Sequence, residues 1–145
     1  MKGTVYGLYI DTPIGERWYI GQTYRNVYTR WDEHRKNRYN CDRTSIHDAI
    51  DEHGWFAFKK VVLETIRSDS LDDLLTRLLI REREWITEKC AYGKGFNESE
   101  GILTDEGIQS YISRIKKTKK EPTRISRSKT DYRKLFRIIT NGSVT

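Results

Sequence analysis

The chain is poor in the residues that staple, kink or thread a protein. Of its 145 residues, two are cysteine, two are proline and one is methionine. Cys41 and Cys90 do not make a disulfide framework, and neither lies in a Cys-x-x-Cys pair, which fits a reducing, intracellular setting. The three histidines, His34, His47 and His53, lack zinc-finger spacing. No apolar run approaches the ~20 residues of a membrane span. The N-terminus enters strand-like sequence directly, without a signal-peptide pattern. No internal repeat is visible. These absences argue against a disulfide-stapled scaffold, a zinc finger, a membrane-spanning protein and a repeat array.

Charge is what the chain has in quantity. Charged residues make up 33% and hydrophobic residues 36%, so the core is modest, though an aromatic fraction of 12% helps to fill it. The net charge is +6 and the pI about 9.3. Residues 114–137 hold eleven Lys or Arg against Glu121 and Asp131, so this stretch alone exceeds the charge of the whole chain and the remainder is net negative. A basic appendage on a near-neutral domain points to a polyanionic partner, nucleic acid or acidic lipid. Its candidate contacts are Lys116, Lys117, Lys119, Lys120, Arg124, Arg127 and Lys129. The chain divides on this reading into a domain over 1–100 and a helix with a basic segment over 101–145.

Residues 7–21 organise the domain. Gly7-Leu8-Tyr9-Ile10 and Trp18-Tyr19-Ile20-Gly21 suit a pleated, half-buried surface, and Pro13 and Gly15 between them are turn residues. The pattern predicts a hairpin, strands 3–11 and 16–22, with a loop of about five residues. Tyr9 and Tyr19 then share one face of a two-stranded platform. Asn26 can cap a helix over 27–38, whose stripe carries Val27, Arg30, Trp31, His34 and Arg38. Arg30 and His34 are either functional residues on the core-facing stripe or edge residues with packed stems and solvated heads. Thr44 or Ser45 can cap a second helix, to His53 and Gly54, on which His47 and His53 read as structural or exposed. Residues 55–66 are predicted as a third strand, with Lys59 and Lys60 marking an edge. Ser70 with Asp73 opens a long helix over 71–90. Glu82 interrupts its stripe of Leu71, Leu74, Leu75, Leu78, Leu79, Trp85 and Ile86. A carboxylate there needs compensation. Pairing with Arg30 and binding a metal ion are both open. Asn97 follows Phe96 where a loop returns to the core, and its amide can tie backbone together. Thr104 caps a last helix over 105–118.

Phosphodiester hydrolysis needs a group that activates water, a cation at the phosphoryl oxygens and help for the leaving group. Tyrosine, arginine, histidine and a lone carboxylate suited to Mg²⁺ can supply these. At this point the sequence resembles the GIY-YIG nuclease family. Gly7-Leu8-Tyr9 is similar to the first signature, Tyr19-Ile20-Gly21 matches the second, Arg30-Trp31-x-x-His34 resembles the helix motif, Glu82-x-x-Trp85-Ile86 the glutamate motif, and Gly95-Phe96-Asn97 the closing asparagine. The resemblance covers about residues 3–100 and looks closest to phage homing-type and free-standing enzymes.

The resemblance implies an α+β fold, a small three-stranded antiparallel sheet flanked by helices, with the basic C-terminal extension added. It implies a metal-dependent endonuclease acting on double-stranded DNA with Mg²⁺ or Mn²⁺ and no small-molecule cofactor, in the cytoplasm of a bacterial or phage-infected cell. By analogy Tyr19 is the general base and Tyr9 positions the water or metal shell. Arg30 stabilises the pentacovalent phosphate, His34 relays or holds the tyrosine proton, Glu82 binds the metal and Asn97 braces the site. There are two departures. Arg43 stands where some members place a histidine, so it can contact phosphate but not transfer a proton, and Gln22 stands where others carry lysine. No second folded recognition domain is visible, so specificity would call on the basic segment or a homodimer on DNA. The alternative is a non-catalytic nucleic-acid-binding module on the same fold.

Overall fold

The computed structural model of the chain describes residues 1–36 and 44–120. Its elements are β1 (Lys2–Thr12), β2 (Gly15–Thr23), α1 (Val27–Lys36), α2 (Ser45–His53), a 3₁₀ turn (Trp55–Ala57), β3 (Lys59–Arg67), α3 (Leu71–Glu88) and α4 (Asp105–Lys120). The strands form one antiparallel sheet in the order β2-β1-β3. This is the α+β architecture expected from the sequence, with β3 on an edge. The chain divides into two compact units, residues 1–108 and 109–145. In the second, the described residues are helical, and Arg114 lies 5.6 Å from the centroid of the Tyr111 ring. No helix among the described residues is long and apolar enough to cross a membrane.

The hairpin is tighter than its composition suggests. Thr12 pairs with Gly15, leaving a loop of Pro13 and Ile14 rather than about five residues. The Thr12 hydroxyl donates to the Gly15 carbonyl at 2.6 Å and accepts from the Ile14 amide at 3.3 Å, and Gly15 supplies a φ of 120°. This register pairs Tyr9 with Trp18 and Leu8 with Tyr19. Side chains alternate along a strand, so a shift of one residue moves each of them to the other face.

The sheet therefore separates two apolar clusters. On one face Val5, Trp18, Ile20 and Ile66 pack with Leu74, Leu78 and Ile86 of α3. On the other, Tyr6 and Leu8 pack with Ile46, Ala49 and Ile50 of α2 and with Phe58 and Phe96. Local signals set the helices as the sequence predicts. The Asn26 side chain accepts from the Tyr28 and Thr29 amides at 2.8 and 3.3 Å, and Ser70 accepts from the Asp73 amide at 3.3 Å. The start of α2 differs. Thr44 makes no capping bond; instead the Glu98 carboxylate accepts from the Ser45 amide at 2.6 Å and the Ser45 hydroxyl at 2.8 Å. A carboxylate suits a helix N-terminus for the same dipolar reason as a cap.

Candidate active site

The site lies at the β2 border of the sheet, where the face that carries Tyr6 and Tyr19 meets Glu82 of α3. Tyr19, Thr44, Glu82, Phe96, Asn97, Glu98 and Ser99 line a cleft of about 250 Å³. Tyr6 is fully buried beneath it, its ring centroid 6.5 Å from that of Tyr19. The Tyr6 hydroxyl lies 2.7 Å from Nε2 of His34, and the His34 ring meets the Tyr19 ring edge-on at 5.1 Å between centroids. His34 is 2% exposed, and its Nδ1 has no hydrogen-bond partner among the described residues.

Tyr9 is not in this group. It sits on the opposite face, stacked on Trp18 at 4.2 Å with Lys59 beyond it. The tyrosine on the same face as Tyr19 is Tyr6, in Gly3-Thr4-Val5-Tyr6. The expectation that Tyr9 and Tyr19 share a face follows from a five-residue loop centred on Ile14; the two-residue loop shifts the parity. Tyr6 is passed over because Gly7-Leu8-Tyr9 resembles the first signature, and strand alternation counted back from Thr12 and Gly15 finds it.

Glycine makes room for the deep phenol. Gly21 is paired with Tyr6, and a Cβ built on Gly21 would lie 2.6 Å from Cζ of the Tyr6 ring. Gly21→Ala should therefore expel or tilt the ring. Overpacking of this kind costs about 1–3 kcal/mol, and the variant should show a lowered melting temperature with a disturbed Tyr6–His34 contact in the aromatic NMR spectrum. An unchanged melt would contradict the tight fit.

The charges are arranged around the phenols. Burial opposes Arg30's charge, but Tyr6, Tyr19 and Glu33 outweigh it and raise its pKa above the ordinary guanidinium value. Its ion pair is with Glu33, Nη1 to Oε1 at 3.0 Å. Burial pushes both phenols above their usual range, and Arg30 pulls back on each. Burial, then the charges of Arg30 and His47, lowers the His34 pKa well below 6.5, so its imidazole is neutral near pH 7. Burial raises the Glu82 carboxyl from 4.5 to about 7, against a smaller pull from Arg30. Glu82 projects from the apolar stripe of α3, between the buried Leu78 and Ile86, which is why its carboxylate is poorly solvated.

Asn97 holds the loop after α3 against β2. Its Oδ1 accepts from the Ile20 amide at 2.7 Å and its Nδ2 donates to the Ile20 carbonyl at 2.9 Å. The Phe96 amide adds a bond to the Trp18 carbonyl at 2.8 Å. Gly95 permits this approach, since a Cβ there would collide with the Trp18 carbonyl. The Asn97 side chain and the Phe96 amide together tie β2 to the loop on either side of Tyr19.

His47, read from sequence as structural or exposed, is 9% exposed and stands 6.1 Å from the His34 ring. Its signal was its place on the same helix face as Ile46 and Ile50. Among the described residues no group of three or more His, Cys, Asp or Glu gathers as a metal-ligand set. A divalent ion that keeps most of its waters needs only one or two carboxylates, and Glu82 at the cleft fits that requirement. Arg43, Arg124, Arg127 and Lys129 lie outside the described residues, as do the side chains of Lys119 and Lys120. Lys116 and Lys117 are exposed on α4.

Two solved structures share this fold. The catalytic domain of intron endonuclease I-TevI, in a glutamate-to-alanine variant, aligns over 72% of this chain and 100% of its own with a TM-score of 0.54 and 23% identity. A structure of the catalytic domain of homing endonuclease I-TevI aligns over 67% of this chain and 98% of its own, with a TM-score of 0.51 and 21% identity. No protein-family model matches the chain, and no curated protein matches it.

Proposed function

We propose that the chain is a divalent-metal-dependent DNA endonuclease of the GIY-YIG type. The observation that carries the reading is the cleft that a phenol and a carboxyl share: Tyr19 and Glu82 both line it, and Arg30's charge acts on each. Among the described residues Arg30 gives its ion pair to Glu33 rather than to Glu82. The names of the two structural neighbours, both endonucleases, agree with this reading.

In this mechanism Tyr19 takes the proton of the attacking water, because it is the phenol at the cleft while Tyr6 is sealed below. Tyr6 and neutral His34 hold the Tyr19 ring and accept part of its charge reorganisation. Arg30, planar and permanently charged, faces the phosphoryl oxygens. Glu82 would hold Mg²⁺ or Mn²⁺, and the ion when bound supplies charge neutralisation at the phosphate. Asn97 fixes the strand that carries Tyr19. The basic C-terminal residues grip the phosphate backbone of double-stranded DNA.

The test is cleavage of supercoiled plasmid. Nicking or linearisation is expected with Mg²⁺ and not with a chelator. DNA binding should weaken by orders of magnitude between about 50 and 200 mM salt, as phosphate contacts do. Salt-sensitive binding without cleavage on any duplex would instead favour a non-catalytic binding module.

A further inference from the structure

Hydrolysis by the residues assigned so far lacks a proton source for the leaving oxygen. Arg43 cannot give one. Asn97 has both ends of its amide committed to Ile20. Glu98 accepts two hydrogen bonds from Ser45, whose hydroxyl and then amide hold its carboxyl below the usual range, with a smaller pull from His47. Ser99 also lines the cleft, its hydroxyl accepting from the Gly101 amide at 3.2 Å. Thr44, which lines the same cleft as Tyr19, is different: its hydroxyl lies 3.3 Å from Nδ1 of His47.

We propose that Thr44 and His47 form the leaving-group proton relay of this site, with Thr44 as the catalytic residue that touches the departing oxygen and His47 as the positioning residue behind it. The inference rests on the endonuclease reading above. The step balances as follows. The water oxygen forms a bond to phosphorus and its proton passes to Tyr19. The bond from phosphorus to the leaving ester oxygen breaks, and its electron pair takes the Thr44 hydroxyl proton. His47 replaces that proton through Nδ1 and is reprotonated from solvent. An in-line displacement puts the leaving oxygen on the side of phosphorus away from the attacking water, so base and acid must be different groups lining one cleft, as Tyr19 and Thr44 are. His47 stands between the two halves of the site, 6.1 Å from the His34 ring and 3.3 Å from the Thr44 hydroxyl, and the Glu98 carboxylate attracts a proton on it.

The experiment replaces the leaving oxygen by sulfur. A duplex cut by the wild-type protein is first defined from the end groups of its products, then synthesised with a bridging phosphorothiolate at the scissile bond. A thiolate leaves without a proton. His47→Asn and Thr44→Val should each slow single-turnover cleavage of the oxygen duplex by about 10²-fold, and cleave the sulfur duplex within a few-fold of wild type. Tyr19→Phe should stay slow on both, and circular dichroism checks that each variant is folded. Equal slowing on oxygen and sulfur would make the pair structural and overturn the proposal; so would full activity of both variants on oxygen. Failure of the wild-type protein to cut either duplex, or any plasmid, in Mg²⁺ would overturn the endonuclease reading along with it. Mg²⁺-dependent cleavage that ignores the leaving atom overturns the relay alone.

Discussion

Cleavage by Tyr19→Phe is expected to fall by about 10²–10⁴-fold, the range of a lost general base, while Tyr9→Phe should cut like the wild-type protein. Tyr6→Phe should lie between them. The three differ only in where one phenol sits. Tyr19 lines the cleft, and removing its oxygen removes the proton acceptor. Tyr6 never meets substrate, but its hydroxyl is the partner of buried His34 at 2.7 Å, and its loss leaves that imidazole nitrogen without a bond. Tyr9 stacks on Trp18 across the sheet, and phenylalanine keeps that stack. Measuring single-turnover rates on one plasmid substrate gives the order directly. A dead Tyr9→Phe beside an active Tyr6→Phe would mean that the other face of the sheet carries the chemistry.

Glu82→Gln should abolish cleavage and yet raise stability above pH 7. Folding moves this carboxyl from 4.5 to about 7. Below pH 4.5 it is neutral in folded and unfolded chains alike, so its contribution is fully present there. Between 4.5 and about 7 the unfolded chain releases the proton first, and stability drains away. Above about 7 the full loss, on the order of 3 kcal/mol, has been incurred. Melting in chelator at pH 5 and pH 8 should show a smaller difference for Glu82→Gln than for the wild-type protein. Cleavage should run the other way, rising from pH 6 to 8 as Glu82 becomes able to hold a cation and Tyr19 becomes easier to deprotonate. A variant that loses stability equally at both pH values would show that Glu82 is a packing residue with a satisfied carboxyl. Opposed effects on folding and cleavage are the mark of a charge kept for chemistry.

Much of this was legible from residue type and spacing. Asn26, Ser70 and Thr104 mark helix starts because their short polar side chains are what an unpaired amide needs. Glu82 stood out because an 18-residue amphipathic helix has little reason to place a carboxylate among leucines. Arg30 and His34 stood out on the same principle in α1. Tyr6 was not legible, because strand parity depends on a loop length that Pro13 and Gly15 do not fix. His47 was hidden too. One histidine on an apolar helix face is ordinary, and only the approach of α1 to α2 makes it the neighbour of another. Asn97 was expected to tie loop backbone; the structure gives it a partner across the chain, Ile20, which no local pattern could name.

The grip of Asn97 and Phe96 on β2 also decides how this sheet can grow. A strand at the border of a sheet offers open amides and carbonyls to any passing chain. Around Tyr19 those of β2 are already taken, by Asn97 at Ile20 and by Phe96 at Trp18. Strand addition by a second copy is thus turned away from the border that carries the cleft. The other border, β3, carries Lys59, Lys60, Glu64 and Arg67, whose charges discourage the same pairing. Among the described residues, both borders of the sheet are thus guarded against an added strand.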